Sequence, residues 1–261
     1  MPDAIATGID HVNAGVREVR AVAGVLTDDL GLGIAFPYSE YPEWVTAGVS
    51  VGDATLAIDS SESVWFLTPT APARWRSVSL RPALAPPALA PALDQRGIAN
   101  SGPIPYAVDG EEQWVNVFAM GVLTPDEMAF FTRYSSVVGQ QIERAHAAFL
   151  AAGGGPLGVT GLAEVAVGGQ AEPWARMLAP VPRQDGSLRL ASGARLRILD
   201  GAPLGVRHVV VAVRDLDAAE SALESRGMAA DRTTTAVAID TAPLEGLDLR
   251  LTATPPSPAA S

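Results

Sequence analysis

The 261-residue chain holds three histidines and no cysteine. His11 lies in the apolar run GIDHVNAGV at 8–16, and His208 in its near-copy GVRHVVVAV at 205–213. An imidazole titrates near neutral pH, so it can move a proton there or ligate a divalent metal. Without thiolates, a metal site must be built from His and carboxylate, and a catalytic one needs about three such protein donors. In an extended strand alternate residues share a face. Ile9, His11, Asn13 and Gly15 then point one way, and Asp10, Val12, Ala14 and Val16 the other. The apolar set is expected to lie under a helix, and the His11/Asn13 face in a cleft.

The elements that position these residues recur. GIDHVNAGVREV (8–19) and GVRHVVVAVRDL (205–216) share Gly, His, Val, Val and Arg at one offset. A helical pattern follows each and ends at Gly31 or Gly227, as a helix C-cap would. Strand-like runs come next: WVTAGVSV (44–51) and ATLAID (54–59) in the first, TTTAVAID (233–240) and LDLRLTAT (247–254) in the last. Two intervening stretches divide the same way, beginning at WRSVSLRPA (75–83) and TGLAEVAVG (160–168). Aligning Gly161 with Gly8 puts Glu164 at the place of His11. The repeats predict an α+β fold built of four βαβββ modules. An N-terminal pair with the ligand cleft spans 1–134 and a shorter C-terminal pair 159–254. A helical linker occupies 135–158, with His146 expected at its surface, and 255–261 form a proline-rich tail.

This organisation resembles the vicinal oxygen chelate superfamily of glyoxalases, extradiol dioxygenases and bleomycin-resistance-type binding proteins, and within it the glyoxalase-like domain proteins. The resemblance rests on DHVNAGV with its helix and DDLGLG, on WVTAGVSVGDATLAID, and on GVRHVVVAVRDLDAAESALESRG. It implies paired βαβββ modules forming curled mixed sheets around a cleft, with a divalent metal held by residues of the first strands, often His, and of the last strands, often Glu. Here those last-strand positions are assigned to Ala57, Arg133, Arg197 and Arg250. The first strand of the second unit offers Trp75, Ser77 and Ser79. His11 would be nearly alone, and arginine beside a cation would repel it. The expectation is therefore no cofactor. A divalent metal is disfavoured but possible on a divergent set: Glu164, His208 and Asp200 or Asp240.

The resemblance then leaves two classes of function. One is a metal-independent isomerase, cyclase or lyase, with His11 as acid/base and Asn13, Ser77 and Arg133 polarising a carbonyl. The other is a protein that binds and sequesters a metabolite; a metal-dependent glyoxalase or dioxygenase stands third. His11 could equally be a hydrogen-bonded remnant, Arg133 a salt-bridging surface residue, and Glu164 a partner of Arg197. Aromatic residues concentrate in the first half: Tyr38, Tyr41, Trp44, Trp65, Trp75, Tyr106, Trp114, Phe118, Phe130 and Tyr134. As a set they suit a pocket for a medium-sized aromatic or polyketide-like ligand. The proposed ligand contacts are Tyr38, Trp44, Trp75, Ser77, Tyr106, Trp114, Phe118 and Tyr134.

Composition limits the partners. Net charge is −11, which repels nucleic acid and anionic membrane, so a small-molecule ligand is the expected partner. No apolar run is long enough for a membrane span, and the N-terminus has no signal-peptide pattern. A cytoplasmic monomer or homodimer is expected. Phosphate-loop, Gly-x-Ser-x-Gly and dinucleotide-binding motifs do not occur in the sequence.

Overall fold

A computed structural model describes residues 4–42, 44–61, 72–124, 126–181 and 183–254. Trp65 and the 255–261 tail lie outside them. Four βαβββ units follow one another. The first is β1 (Ala6–Val16), α1 (Val19–Gly24), β2 (Gly33–Glu40), β3 (Val45–Ser50) and β4 (Thr55–Ser60). The second is β5 (Arg74–Pro82), α2 (Pro86–Gln95), β6 (Ile104–Val108), β7 (Glu111–Ala119) and β8 (Met128–Tyr134). After α3 (Ser136–Ala151) comes the third: β9 (Val159–Gly168), α4 (Ala171–Leu178), β10 (Arg183–Gln184), β11 (Ser187–Arg189) and β12 (Arg195–Leu199). The fourth is β13 (Gly205–Val213), α5 (Leu216–Glu224), β14 (Ala229–Arg232), β15 (Ala236–Ile239) and β16 (Leu249–Ala253).

Units pair through their first strands. The sheet orders are β2-β3-β4-β1-β5-β8-β7-β6 and β10-β11-β12-β9-β13-β16-β15-β14. β1 runs parallel to β4 and antiparallel to β5, and β9 and β13 repeat this pattern in the second sheet. Each helix presents an apolar stripe to its sheet: Val19, Val22 and Ala23 on α1, Leu89 and Leu93 on α2, Leu216, Ala219 and Leu223 on α5. Three of the α-helices start on local signals. Proline occupies the first turn of α2, Ser135 Oγ accepts from Val138 N, and Asp215 accepts from Asp217 N and Ala218 N. One continuous apolar core runs through both sheets and their helices. No helix among the described residues is long and apolar enough to cross a membrane.

Each of the four first strands carries a one-residue bulge at the same place. The register slips at Asp10 in β1, Arg76 in β5, Ala163 in β9 and Arg207 in β13. The next residue in each case is His11, Ser77, Glu164 or His208. A bulge inserts one residue without a cross-strand partner, so the two flanking it take opposite faces although they are two apart. Strict alternation therefore fails here. Ile9 joins Val12 in the core instead of sharing the His11 face, and Trp75 turns into the core while Ser77 stays in the cleft.

The expectation for α3 is also corrected. Its His146 is buried, not exposed: Nδ1 lies 2.7 Å from Ser50 Oγ and Nε2 3.2 Å from Thr55 Oγ1. Phe149 on the same helix packs over Gly33. α3 is thus fastened to β2, β3 and β4, with its N-terminal part over the first sheet.

Candidate functional site

A cavity of about 460 Å³ occupies the concave side of the first sheet. Its floor is β1, β4 and β5, carrying His11, Asn13, Ala57, Asp59 and Ser77. Trp44, Trp114, Phe118, Phe130 and Phe36 form the walls, and Val138, Gln141 and Ile142 of α3 close one side.

His11 is held by the residue before it. Its Nδ1 lies 2.8 Å from Asp10 Oδ2, which also accepts a 2.9 Å hydrogen bond from Tyr134 OH. Arg81 Nε stands 3.8 Å from the other carboxylate oxygen. Burial alone would raise the Asp10 pKa. The His11 hydrogen bond, the His11 and Arg81 charges and the Tyr134 hydroxyl outweigh it and hold Asp10 below its ordinary range. Burial and the Asp10 charge push the Tyr134 phenol well above its usual value, so it stays a donor. An ionised carboxylate only accepts, so in a neutral His11 ring Nδ1 carries the proton and Nε2 keeps its lone pair. The ring lines the cavity, with Phe130 edge-on at 5.4 Å.

A second polar chain lies alongside. Ser77 Oγ donates to Asn13 Oδ1 at 2.7 Å, and Asn13 Nδ2 donates to Asp59 Oδ2 at 2.6 Å. These contacts fix which way the amide points. Asp59 is buried and makes no ion pair among the described residues. Burial raises its pKa, and the Thr46 and Asn13 hydrogen bonds and the His11 charge offset that only in part. Towards β7, Ser79 Oγ donates to Thr132 Oγ1 and Thr132 Oγ1 to Asn116 Oδ1, each at 2.9 Å.

The aromatic wall is a continuous stack. Tyr41 lies on Trp44 at 4.5 Å, Tyr106 meets Trp44 edge-on at 5.1 Å, and Tyr106 stacks on Trp114 at 4.3 Å. Trp44 and Trp114 face the cavity, while Tyr106 backs them.

Of the residues singled out from sequence, His11, Asn13, Trp44, Ser77, Trp114, Phe118 and Tyr134 come together around this cavity. Three do not. Arg133 is exposed, because Met128, Phe130, Thr132 and Tyr134 are the cavity face of β8 and its neighbours alternate away. Trp75 is only 2 % exposed, and its Nε1 donates to Asp248 O at 3.0 Å. Tyr38 lies on the far side of β2 under the Arg20 guanidinium, its hydroxyl on Glu40. Sequence reasoning missed Asp10, Asp59, Phe36, Asn116 and the α3 residues. Asp59 was legible, since it alternates with Ala57 in LAID; Asp10 was hidden by the bulge.

The second sheet uses the equivalent positions differently. Glu164 takes the place of His11 and lies 3.4 Å from Arg195, 3.7 Å from Arg197 and 3.9 Å from His208. Burial would raise its pKa, but His208 and the two arginines hold it below the ordinary range. Arg250 pairs with Asp248, Asp200 with Arg183, and Asp240 caps Ala242 N. The set Glu164, His208 and Asp200 or Asp240 is therefore not assembled. Among the described residues no three His, Asp or Glu side chains converge where a metal would sit. Around His11 the strand positions that would supply further donors are Ala57, Ser77 and Phe130. The donor set does not fit a divalent cation.

No family model and no curated protein matches the sequence. Solved structures do match the fold. A 4-hydroxymandelate synthase variant from Streptomyces coelicolor superposes with a TM-score of 0.61 at 14 % identity, covering 95 % of this chain and 93 % of that one. A Mn(II)-bound glyoxalase from Novosphingobium aromaticivorans gives 0.60 at 13 %, covering 96 % and 83 %. A homoprotocatechuate 2,3-dioxygenase variant from Brevibacterium fuscum gives 0.60 at 12 %, covering 99 % and 75 %. All three have the vicinal oxygen chelate fold, and so does this chain. Likeness of fold does not carry the chemistry across.

Proposed function

On the vicinal oxygen chelate fold that this chain adopts, we propose a protein that binds a flat, medium-sized carbonyl compound in the first-half cavity and moves a proton on it without a divalent metal. The observation that carries the reading is the Asp10–His11 pair. A buried carboxylate fixing one imidazole nitrogen leaves the other as a proton acceptor, and Tyr134 and Arg81 keep the carboxylate in place. The donor set around His11 favours acid–base chemistry over metal chemistry. The aromatic walls suit a planar ligand, and Asn13, Asn116 and Ser77 offer polar groups to orient it. Isomerisation, cyclisation or elimination would use such a base.

The test is exchange of a carbon-bound proton. Incubation in D2O with 2-tetralone, a neutral flat ketone with acidic hydrogens beside the carbonyl, should incorporate deuterium faster than buffer does. His11→Ala should return the rate to the buffer level. Ligand uptake without exchange would replace this reading with passive sequestration, which the same aromatic walls would serve. Elemental analysis showing a stoichiometric transition metal would overturn its metal-free part.

A further inference from the structure

The mechanism above leaves unused the second carboxylate of the cavity. Asp59 is 5 % exposed, lines the same space as His11, and forms no ion pair with Arg or Lys among the described residues. It sits on β4 opposite Gly15 of β1. Asn13 stands between the two groups. It is two residues along β1 from His11, about 7 Å, and its amide holds Asp59 Oδ2 at 2.6 Å. Ser77 locks that amide from behind at 2.7 Å. A carboxyl group positioned this firmly but not neutralised by a cation is unusual for a purely structural aspartate.

We infer that Asp59 is the acid partner of His11, giving a proton to the carbonyl oxygen of the ligand as His11 removes one from carbon. The inference rests on the proton-transfer reading of the cavity. His11 Nε2 takes the proton of a C–H bond beside the carbonyl. The pair of electrons from that bond forms the C=C bond, and the carbonyl π pair moves to oxygen. That oxygen receives the Asp59 proton. The products are an enol, an imidazolium and a carboxylate, with no net oxidation or reduction. Reversal returns the proton to Asp59, and His11 delivers its own to the same carbon or, in an isomerisation, to another. The environments support the division of labour: burial raises the Asp59 pKa, whereas His11, Arg81 and Tyr134 depress that of Asp10. Of the two carboxyl groups, Asp10 holds the base, and Asp59, on the far side of Asn13, is assigned the proton to donate.

The experiment follows deuterium entry at C1 of 2-tetralone by proton NMR across pH, in wild type, Asp59→Asn and Ser77→Ala. Circular dichroism checks that each variant is folded. Asp59→Asn keeps the shape but has no acidic proton. It should lower kcat about a hundredfold, with KM little changed, and abolish the fall in rate that wild type shows as Asp59 ionises with rising pH. Ser77→Ala frees the Asn13 amide without removing the acid, so it should displace that fall along the pH axis and not abolish it. A folded Asp59→Asn that exchanges at the wild-type rate with the wild-type profile would overturn the inference and leave His11 as the base. Wild type exchanging no faster than buffer would overturn the base reading and this inference together.

Discussion

Asp10 fixes what His11 can do. With the carboxylate charged, the imidazole is oriented and its tautomer set; with an amide there, neither is enforced. Asp10→Asn should therefore lower tetralone exchange about a hundredfold or more while the protein stays folded. It should also change the response to acid. The folded-state pKa of Asp10 lies below its ordinary 3.8, so its charge stabilises the fold at neutral pH. That stabilisation is lost as pH falls below 3.8 and through the depressed value. Urea unfolding should find Asp10→Asn less stable than wild type at pH 7, with the gap closing as pH falls below 3.8. A gap independent of pH would mean that Asp10 acts through shape alone. Period-two alternation was enough to place His11, Asn13 and Ser77 in the cleft. It misplaced Asp10 and Trp75, because a bulge leaves no mark in composition. Arg133 was assigned to a cavity position of β8, but the register gives that place to Phe130, and Arg133 points away.

At the level of elements, the repeat was legible because the four first strands share a local pattern: an apolar residue, the bulged residue, then the cleft-facing one. What the sequence could not show is the docking of α3. A histidine among alanines on a helix reads as exposed, and only the Ser50 and Thr55 hydroxyls explain why it is not. Both can donate or accept, so they satisfy a neutral ring. Burial lowers the His146 pKa below 6.5, so between that value and 6.5 the unfolded chain binds a proton that the folded one does not. Asp10, Asp53 and Glu143 offset the burial in part, and Arg81 adds to it. Stability should thus fall as pH drops below 6.5, at no more than about 1.4 kcal/mol per pH unit from this group. His146→Gln, which cannot titrate, should be less stable at neutral pH but flatter across this window, as read by chemical unfolding at several pH values. Hydrogen-exchange protection in α3, relative to the intrinsic rate at each pH, should fall with acid in wild type before protection in β1 does. Equal loss of protection throughout would place the acid sensitivity elsewhere.

Across the whole molecule, one architecture is used twice and the cavity chemistry only once. Glu164 on β9 occupies the place of His11 and pairs with Arg195, Arg197 and His208. The two halves share one apolar core, and polar contacts join them: Trp75 Nε1 to Asp248 O, Glu127 Oε2 to Val206 N at 2.9 Å, and Glu245 to the amides of Arg17 and Glu18. Gly205 is one point on this seam that disfavours a side chain. Its φ of +132° disfavours any side chain, and a methyl group there would collide with the Glu127 carboxylate, itself 6 % exposed and bonded to the next amide. Gly205→Ala must either displace Glu127, leaving the Val206 N–H unsatisfied in the interior, or distort the start of β13. Either should cost about 2–4 kcal/mol. Because the core is continuous, that loss should lower one cooperative calorimetric transition for the whole chain. Hydrogen exchange should quicken in β1 and β5 as well as in β13. A second, earlier transition confined to β9–β16 would show instead that the halves fold independently and that the cavity half needs no partner.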